Sequence, residues 1–135
     1  MSNATKSTIL YVDDDSDDCS LLKTSIEDAG SKAHLICAND GEEAVKYLNS
    51  ITDSSLPSLI VLDLNMPRWG GRRTLSYLKS HPHLASIPVV ILSTSDNGKE
   101  KEACEQLGAV SYLKKPFHYD GYKVIIADFF SHIKA

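Results

Sequence analysis

The sequence contains no apolar run near the roughly 20 residues that a membrane-spanning helix needs, and no charged-then-apolar leader pattern. No membrane association is expected. Its lysines and arginines form no block, and a net charge of −4 gives no electrostatic footprint for nucleic acid. Cysteine is scarce: Cys19, Cys37 and Cys104 are an odd number at irregular spacing, which suggests neither a disulfide framework nor a zinc site. A reducing cytoplasm is the expected location. The histidines likewise lack metal-ligand spacing, and His81 and His83 around Pro82 read as a helix end.

What is present is enough for one domain. A chain of 135 residues with 42% hydrophobic content supports a single core and is too short for two ordinary ones. Residues 1–7, beginning MSNA, read as a cloning remnant and a disordered N-terminus, and 8–135 as the domain. The acids are unevenly spread, because Asp13, Asp14, Asp15, Asp17 and Asp18 crowd into one short stretch. Like charges that close need a cation, a proton or wide solvation. Equally informative is LIVLDLNMP at 59–67, where four apolar residues stop at Asp63. Such a run reads as a strand buried on both faces that ends in a carboxylate.

The same arrangement recurs along the chain. Residues 9–12 form a short apolar run that meets Asp13 and Asp14, and Leu22, Ile26 and Ala29 then mark a helix over 17–29 stopped by Gly30. Residues 33–38 make a weaker strand, with His34 favouring a sheet edge. Asp40 and Glu43 have capping-box spacing before a helix carrying Ala44, Leu48 and Ile51. After a loop at 52–57 and the strand from Leu59, Gly70 and Gly71 precede a helix with Leu75 and Leu78 inward, ending near Pro82. A strand over 89–92 runs into Ser93, Thr94 and Ser95, a helix over 97–107 closes at Gly108, and a strand over 110–113 meets Lys114, Lys115 and Pro116. Tyr122, Ile126, Phe129 and Ile133 give the last helix, within 119–133.

Strict alternation of strand and helix implies a parallel sheet with right-handed crossovers and helices on both faces, so that all strand ends share one rim. Asp13, Asp14, Asp63, Ser93 and Lys115, far apart in sequence, are thereby gathered in one crevice. Three carboxylates together call for a hard divalent cation with oxygen ligands, and Mg²⁺ or Mn²⁺ is the expected cofactor. A cation, a lysine and a hydroxyl suit a phosphoryl group, with one carboxylate as nucleophile and an acyl phosphate as product.

VDDD at 12–15, LDLNMP at 62–67, the hydroxyl at Ser93 after PVVIL, and KKPF at 114–117 together resemble the CheY-like receiver domain of two-component response regulators, over essentially the whole chain from Thr8. The resemblance implies a flavodoxin-like, doubly wound (βα)5 fold with a five-stranded parallel sheet in the order 2-1-3-4-5. It implies that Asp63 accepts phosphate from a histidine kinase. Asp14 would bind the metal directly, Asp13 through water, and Asn65 through its main-chain carbonyl. Ser93 and Lys115 would close on the phosphoryl oxygens, and Tyr112 would turn inward when the hydroxyl moves. A cis Lys115–Pro116 bond is also implied. Ser93, Thr94 and Ser95 further resemble stand-alone receivers that partner bacteriophytochromes. The chain departs from the family where MPRWGG puts Gly70 in place of a frequent acid, and where Thr94 replaces a common small residue.

The expected role is a phosphoacceptor switch rather than an enzyme acting on other substrates. Its expected partners are a sensor histidine kinase or phosphotransfer protein, and a downstream target on the face of helix 4, strand 5 and helix 5, where Lys99, Glu102, Lys114 and Tyr119 are candidates. No nucleic-acid or membrane partner is expected, and a homodimer is left open. Two other readings stand beside it: a degenerate receiver serving as an interaction module, and an aspartate-nucleophile phosphatase, against which Asn65 stands where such enzymes place a second acid. Asp15, Asp17 and Asp18 read as capping and solvated acids. Tyr47, Phe129, Phe130 and Cys104 read as packing residues, and Trp69 as a partner contact.

Overall fold

The computed structural model describes residues 7–64, 66 and 68–133. Its strands are β1 (Thr8–Val12), β2 (His34–Ala38), β3 (Leu59–Leu62), β4 (Val89–Ser93) and β5 (Ser111–Lys114). Its helices are α1 (Ser16–Asp28), α2 (Gly41–Ser50), α3 (Gly71–Ser80), α4 (Gly98–Gln106) and α5 (Tyr122–Ser131). Single 3₁₀ turns lie at Asp53–Ser55, inside the expected loop, and at Tyr119–Gly121, before α5. The strands are all parallel in the order β2-β1-β3-β4-β5, the expected flavodoxin-like winding.

Burial follows from position in the sheet. The central strands β3 and β4 are buried throughout, which explains their unbroken apolar runs. The edge strand β2 exposes His34 and Cys37, and the opposite edge strand β5 exposes Lys114. Side chains alternate across the sheet. Leu10, Val12, Ile60, Leu62 and Ile91 pack with Ala44 and Leu48 of α2, Leu75 and Leu78 of α3, and Cys104 of α4. Ile9, Tyr11, Leu59, Val61 and Leu92 pack on the other face with Leu22 and Ile26 of α1 and Ile126 and Phe129 of α5. Cys104 and Phe129 are core residues, as expected, and Tyr47 and Phe130 pack against the two clusters.

Two glycines close helices as the sequence predicts, Gly30 at φ 77° after α1 and Gly108 at φ 109° after α4. Gly71 is needed for a different reason. A Cβ there would sit 2.5 Å from the Asp63 carbonyl oxygen and 2.9 Å from Leu64 Cα, so the start of α3 lies directly against the backbone that carries Asp63.

Two expectations fail. Cys19 of α1 and Cys37 of β2 form a disulfide, with their Cα atoms 6.4 Å apart, inside the range that a bridge spans. Residue spacing could not signal it: the β1-α1-β2 crossover brings the first turn of α1 beside the carboxyl end of β2, on the face of the sheet that α1 covers. Closing a loop of that length stabilises by about 3 kcal/mol in the chain-entropy treatment. The Lys115–Pro116 peptide is trans, since the described residues contain no cis bond. With that trans bond the Lys115 amide donates to the Ser93 carbonyl at 2.7 Å, so the ordinary preference for trans goes unopposed.

The cap of α2 also anchors the loop after β3. Asp40 accepts from the Glu43 amide at 2.8 Å and from Arg68 at 3.1 Å, while the Glu43 side chain accepts from the Asn39 amide at 3.3 Å. The Glu43 amide bond, and after it Arg68, hold the Asp40 carboxyl below the usual carboxylate range despite its burial. The unfolded chain therefore binds this proton more readily, and the stability Asp40 contributes is present above about pH 4 and lost as the pH falls through the lower folded value. Asp40→Ala is expected to lower stability by about 1–2 kcal/mol at pH 7, with the gap to wild type closing below pH 4 in urea titrations. A gap unchanged at low pH would contradict this account of the cap.

Candidate functional site

Backbone hydrogen bonds that continue the ladder one residue past each strand assemble the site. The Asp13 amide donates to the Ala38 carbonyl at 3.0 Å, the Asp63 amide to the Val12 carbonyl at 2.9 Å, and the Lys115 amide to the Ser93 carbonyl. Each polar residue is thus fixed by the neighbouring strand. The carboxylates of Asp13, Asp14 and Asp63 consequently lie with one oxygen each within 4.8 Å of the others. Asp13 and Asp63 are buried and Asp14 is exposed, so the cluster is walled by protein on one side and open to solvent on the other.

Lys115 reaches into this cluster. Its Nζ lies 2.8 Å from Asp13 Oδ2, 2.8 Å from Asp18 Oδ2 and 3.7 Å from Asp63 Oδ1, with its side chain only 11% exposed. Burial pulls its pKa down, but the hydrogen bonds to Asp13 and Asp18 and the charge of Asp63 outweigh it and leave the pKa above the ordinary lysine value. Lys115 is therefore an ammonium throughout the neutral range. Asp13 is held from several sides: Oδ1 accepts from the Asp15 amide at 3.0 Å, and Oδ2 accepts from the Tyr11 hydroxyl as well as from Lys115. Burial, and after it Asp13, raise the Tyr11 pKa, so this hydroxyl stays a donor.

Asp15 caps α1 by accepting from the amides of Asp17 at 2.9 Å and Asp18 at 3.3 Å, as expected. Asp18 is one of two site residues that sequence reasoning missed. Rather than a solvated acid it is a partner of Lys115, and its signal was helical spacing: it lies one turn beyond Asp14, on the side of α1 that faces the rim. Tyr11 was missed in the same way, two residues before Asp13 and on the same side of its strand.

Ser93 ends β4 fully buried, and its Oγ accepts from the Ser95 amide at 3.1 Å. Tyr112 is paired in register with Ile91, and its hydroxyl donates to the Ser95 carbonyl at 3.0 Å and to Glu100 Oε1 at 2.8 Å. Burial first and Glu100 second raise its pKa. The structure thus connects Tyr112 to the loop after Ser93 and to the first turns of α4. Asn65, expected to lend a main-chain carbonyl, and Pro67 lie outside the described residues. Trp69 is engaged within the chain: the Arg73 guanidinium sits 4.1 Å from its ring centroid and Tyr77 approaches edge-on. Lys99, Glu102, Lys114 and Tyr119 are all exposed.

Carboxylates about 4 Å apart repel by about 4 kcal/mol per pair at a near-surface dielectric, and one ammonium does not offset them all. An all-oxygen donor set with an open side fits a hard divalent cation that keeps part of its water shell. The family model of the response regulator receiver domain matches residues 9–126. The chain belongs to this family.

This receiver is 37% identical over 110 residues to the response regulator Rcp1 of Synechocystis sp., a match covering 79% of this chain and 75% of that protein. Among solved structures it is similar to the phosphorylated cyanobacterial phytochrome response regulator RcpA, at 31% identity and TM-score 0.85 over 96% of this chain and 98% of that one. It is also similar to the Mn²⁺-bound form of response regulator Rcp1, at 32% identity and TM-score 0.80 over 93% and 92%. As a receiver it is a phosphoacceptor component of two-component signalling; receivers are phosphorylated by histidine kinases and bind downstream targets. No helix among the described residues is long and apolar enough to cross a membrane. Because the receiver's carboxylates repel, Asp63→Asn is expected to raise stability by about 1–3 kcal/mol in metal-free buffer, with the gain shrinking when Mn²⁺ is added. Denaturant midpoints check this, and a loss of stability in metal-free buffer would contradict it.

Proposed function

We propose that Asp63 is the phosphoacceptor of this receiver and that Asp13, Asp14 and Asp63 hold a divalent cation beside it, with Mg²⁺ as the working ion. The observation that carries this reading is the cluster of three carboxylates built on the ends of β1 and β3, with Lys115 alongside. Asp14 would bind the metal directly, Asp13 through water, and Asn65 through its carbonyl. The bound cation would supply charge neutralisation for the phosphoryl oxygens.

The rest falls to the chain itself. An Asp63 oxygen attacks phosphorus and the bond from phosphorus to the donor histidine nitrogen breaks; that nitrogen keeps the electron pair, and the ring leaves as neutral imidazole because its other nitrogen carries a proton taken up from solvent. Lys115 and Ser93 then donate to phosphoryl oxygens, which requires Lys115 to exchange part of its hold on Asp13 and Asp18. Movement of Ser93 and its loop would be transmitted through the Ser95 carbonyl to Tyr112 and α4, altering the face of α4, β5 and α5 where a downstream target binds. A sensor histidine kinase or phosphotransfer protein would be the donor, and the similarity to the phytochrome response regulator RcpA favours one linked to a phytochrome. Phosphohistidine is made from ATP, so the working location is the cytoplasm. The domain would span residues 8–135 and act as a switch that catalyses only its own phosphorylation and dephosphorylation.

Incubation with Mg²⁺ and acetyl phosphate is expected to add one phosphoryl group to the wild type, detected by intact mass, and none to Asp63→Asn. Wild type that labels with neither acetyl phosphate nor beryllofluoride would support the interaction-module reading instead, and rapid turnover of phosphate esters the phosphatase. Lys115→Ala is expected to bind Mn²⁺ yet show none of the beryllofluoride-induced change in the amide spectrum around Tyr112. An unchanged response would remove the role given to Lys115.

A further inference from the structure

The disulfide lies at the same rim as the acids. Cys19 follows Asp18 directly in the first turn of α1, where its amide donates to the Asp15 carbonyl at 3.2 Å. Cys37 is on the edge strand, exposed, and in register with Tyr11, whose hydroxyl donates to Asp13. Cys37 therefore stands on the exposed edge of the sheet, the side from which a thiolate can approach, and Cys19 is tied to the turn that presents Asp18 to Lys115. Cys104 contrasts with both: it is fully buried, burial raises its thiol pKa, and it lies on the opposite face of the sheet.

We propose that Cys19 and Cys37 form a thiol–disulfide exchange site for a dithiol reductant, and that its state sets how firmly Asp18 holds Lys115 and so how fast Asp63 takes a phosphoryl group. The second part rests on Asp63 being the acceptor. In the exchange a thiolate of the dithiol attacks Cys37 Sγ, the Cys19 sulfur leaves as thiolate and takes a proton, and the second thiolate of the reductant displaces Cys37. Two electrons pass to the protein and the reductant leaves as its own disulfide. A disulfide oxidant reverses the sequence.

The oxidised bridge clamps the first turn of α1 to β2, and Asp18 with it. Reduction releases a turn that carries Asp15, Asp17 and Asp18, leaving Asp18 freer to part from Lys115, which then meets the incoming phosphoryl oxygens with one competitor fewer. Edge placement matters because the exposed strand is where the reductant approaches.

The test uses the whole chain in both redox states. Iodoacetamide under native conditions is expected to modify neither Cys19 nor Cys37 in the oxidised form and both after dithiothreitol, as read by peptide mass. Acetyl phosphate labelling is expected to run roughly two- to thirtyfold faster in the reduced form, the range of ordinary coupling between sites. Cys19→Ser and Cys37→Ser, checked for folding by circular dichroism, should label at the reduced rate whatever the redox state. Asp18→Asn should label equally fast in both states. A bridge that stays closed in excess dithiothreitol under native conditions overturns the exchange site, and equal wild-type rates overturn the coupling. Labelling in neither state contradicts Asp63 as acceptor and the coupling with it, while the thiol masses still decide the exchange site.

Discussion

The parallel pairing of β1 with β3 is the constraint on which the site depends. Its register places Val12 beside Leu62, and the next backbone bond, from the Asp63 amide to the Val12 carbonyl, brings two acidic strand ends side by side. Carboxylates in solution would not adopt this arrangement. Here they are held by backbone bonds belonging to a ladder buried on both faces, and the core on those faces outweighs their repulsion. In the proposed function this stored repulsion would give the pocket affinity for a cation and, after it, for a phosphoryl group that brings its own acceptors to Lys115.

Lys115 is the side chain through which the proposed response would leave the resting pocket. Its ammonium is shared among Asp13, Asp18 and Asp63, two of them at hydrogen-bonding distance. In the proposed switch a phosphoryl group on Asp63 would compete for that ammonium, so phosphorylation would redistribute an existing ion network rather than create a new one. Ser93 and Tyr112 share a second connection, since both bond to Ser95, one to its amide and one to its carbonyl. In the proposed switch a shift of that loop would reach α4 through Tyr112, whose hydroxyl also bonds Glu100.

Much of this was legible in the chain. Apolar runs that stop at acids or hydroxyls announce buried parallel strands, and alternation with helices determines that their ends meet, so Asp13, Asp14, Asp63, Ser93 and Lys115 could be grouped without coordinates. Asp40, Asp15, Gly30 and Gly108 were readable because capping and helix termination are local events. What stayed hidden depends on contact between elements. Asp18 looked like one more solvated acid because nothing in its neighbourhood names Lys115, and the Cys19–Cys37 bridge depends on the crossover geometry between α1 and β2. The need for glycine at 71 is likewise invisible until the Asp63 carbonyl is seen against it. The implied cis proline came from resemblance alone, and the local backbone bond from Lys115 to Ser93 forms without it.

The most direct test of the central claim locates the phosphoryl group. Borohydride reduces an acyl phosphate to the alcohol, so treatment of the acetyl phosphate-labelled protein followed by peptide sequencing in the mass spectrometer reports which carboxylate was modified. The account predicts reduction at position 63 and nowhere else. Reduction at Asp13, Asp14 or Asp18 would contradict it.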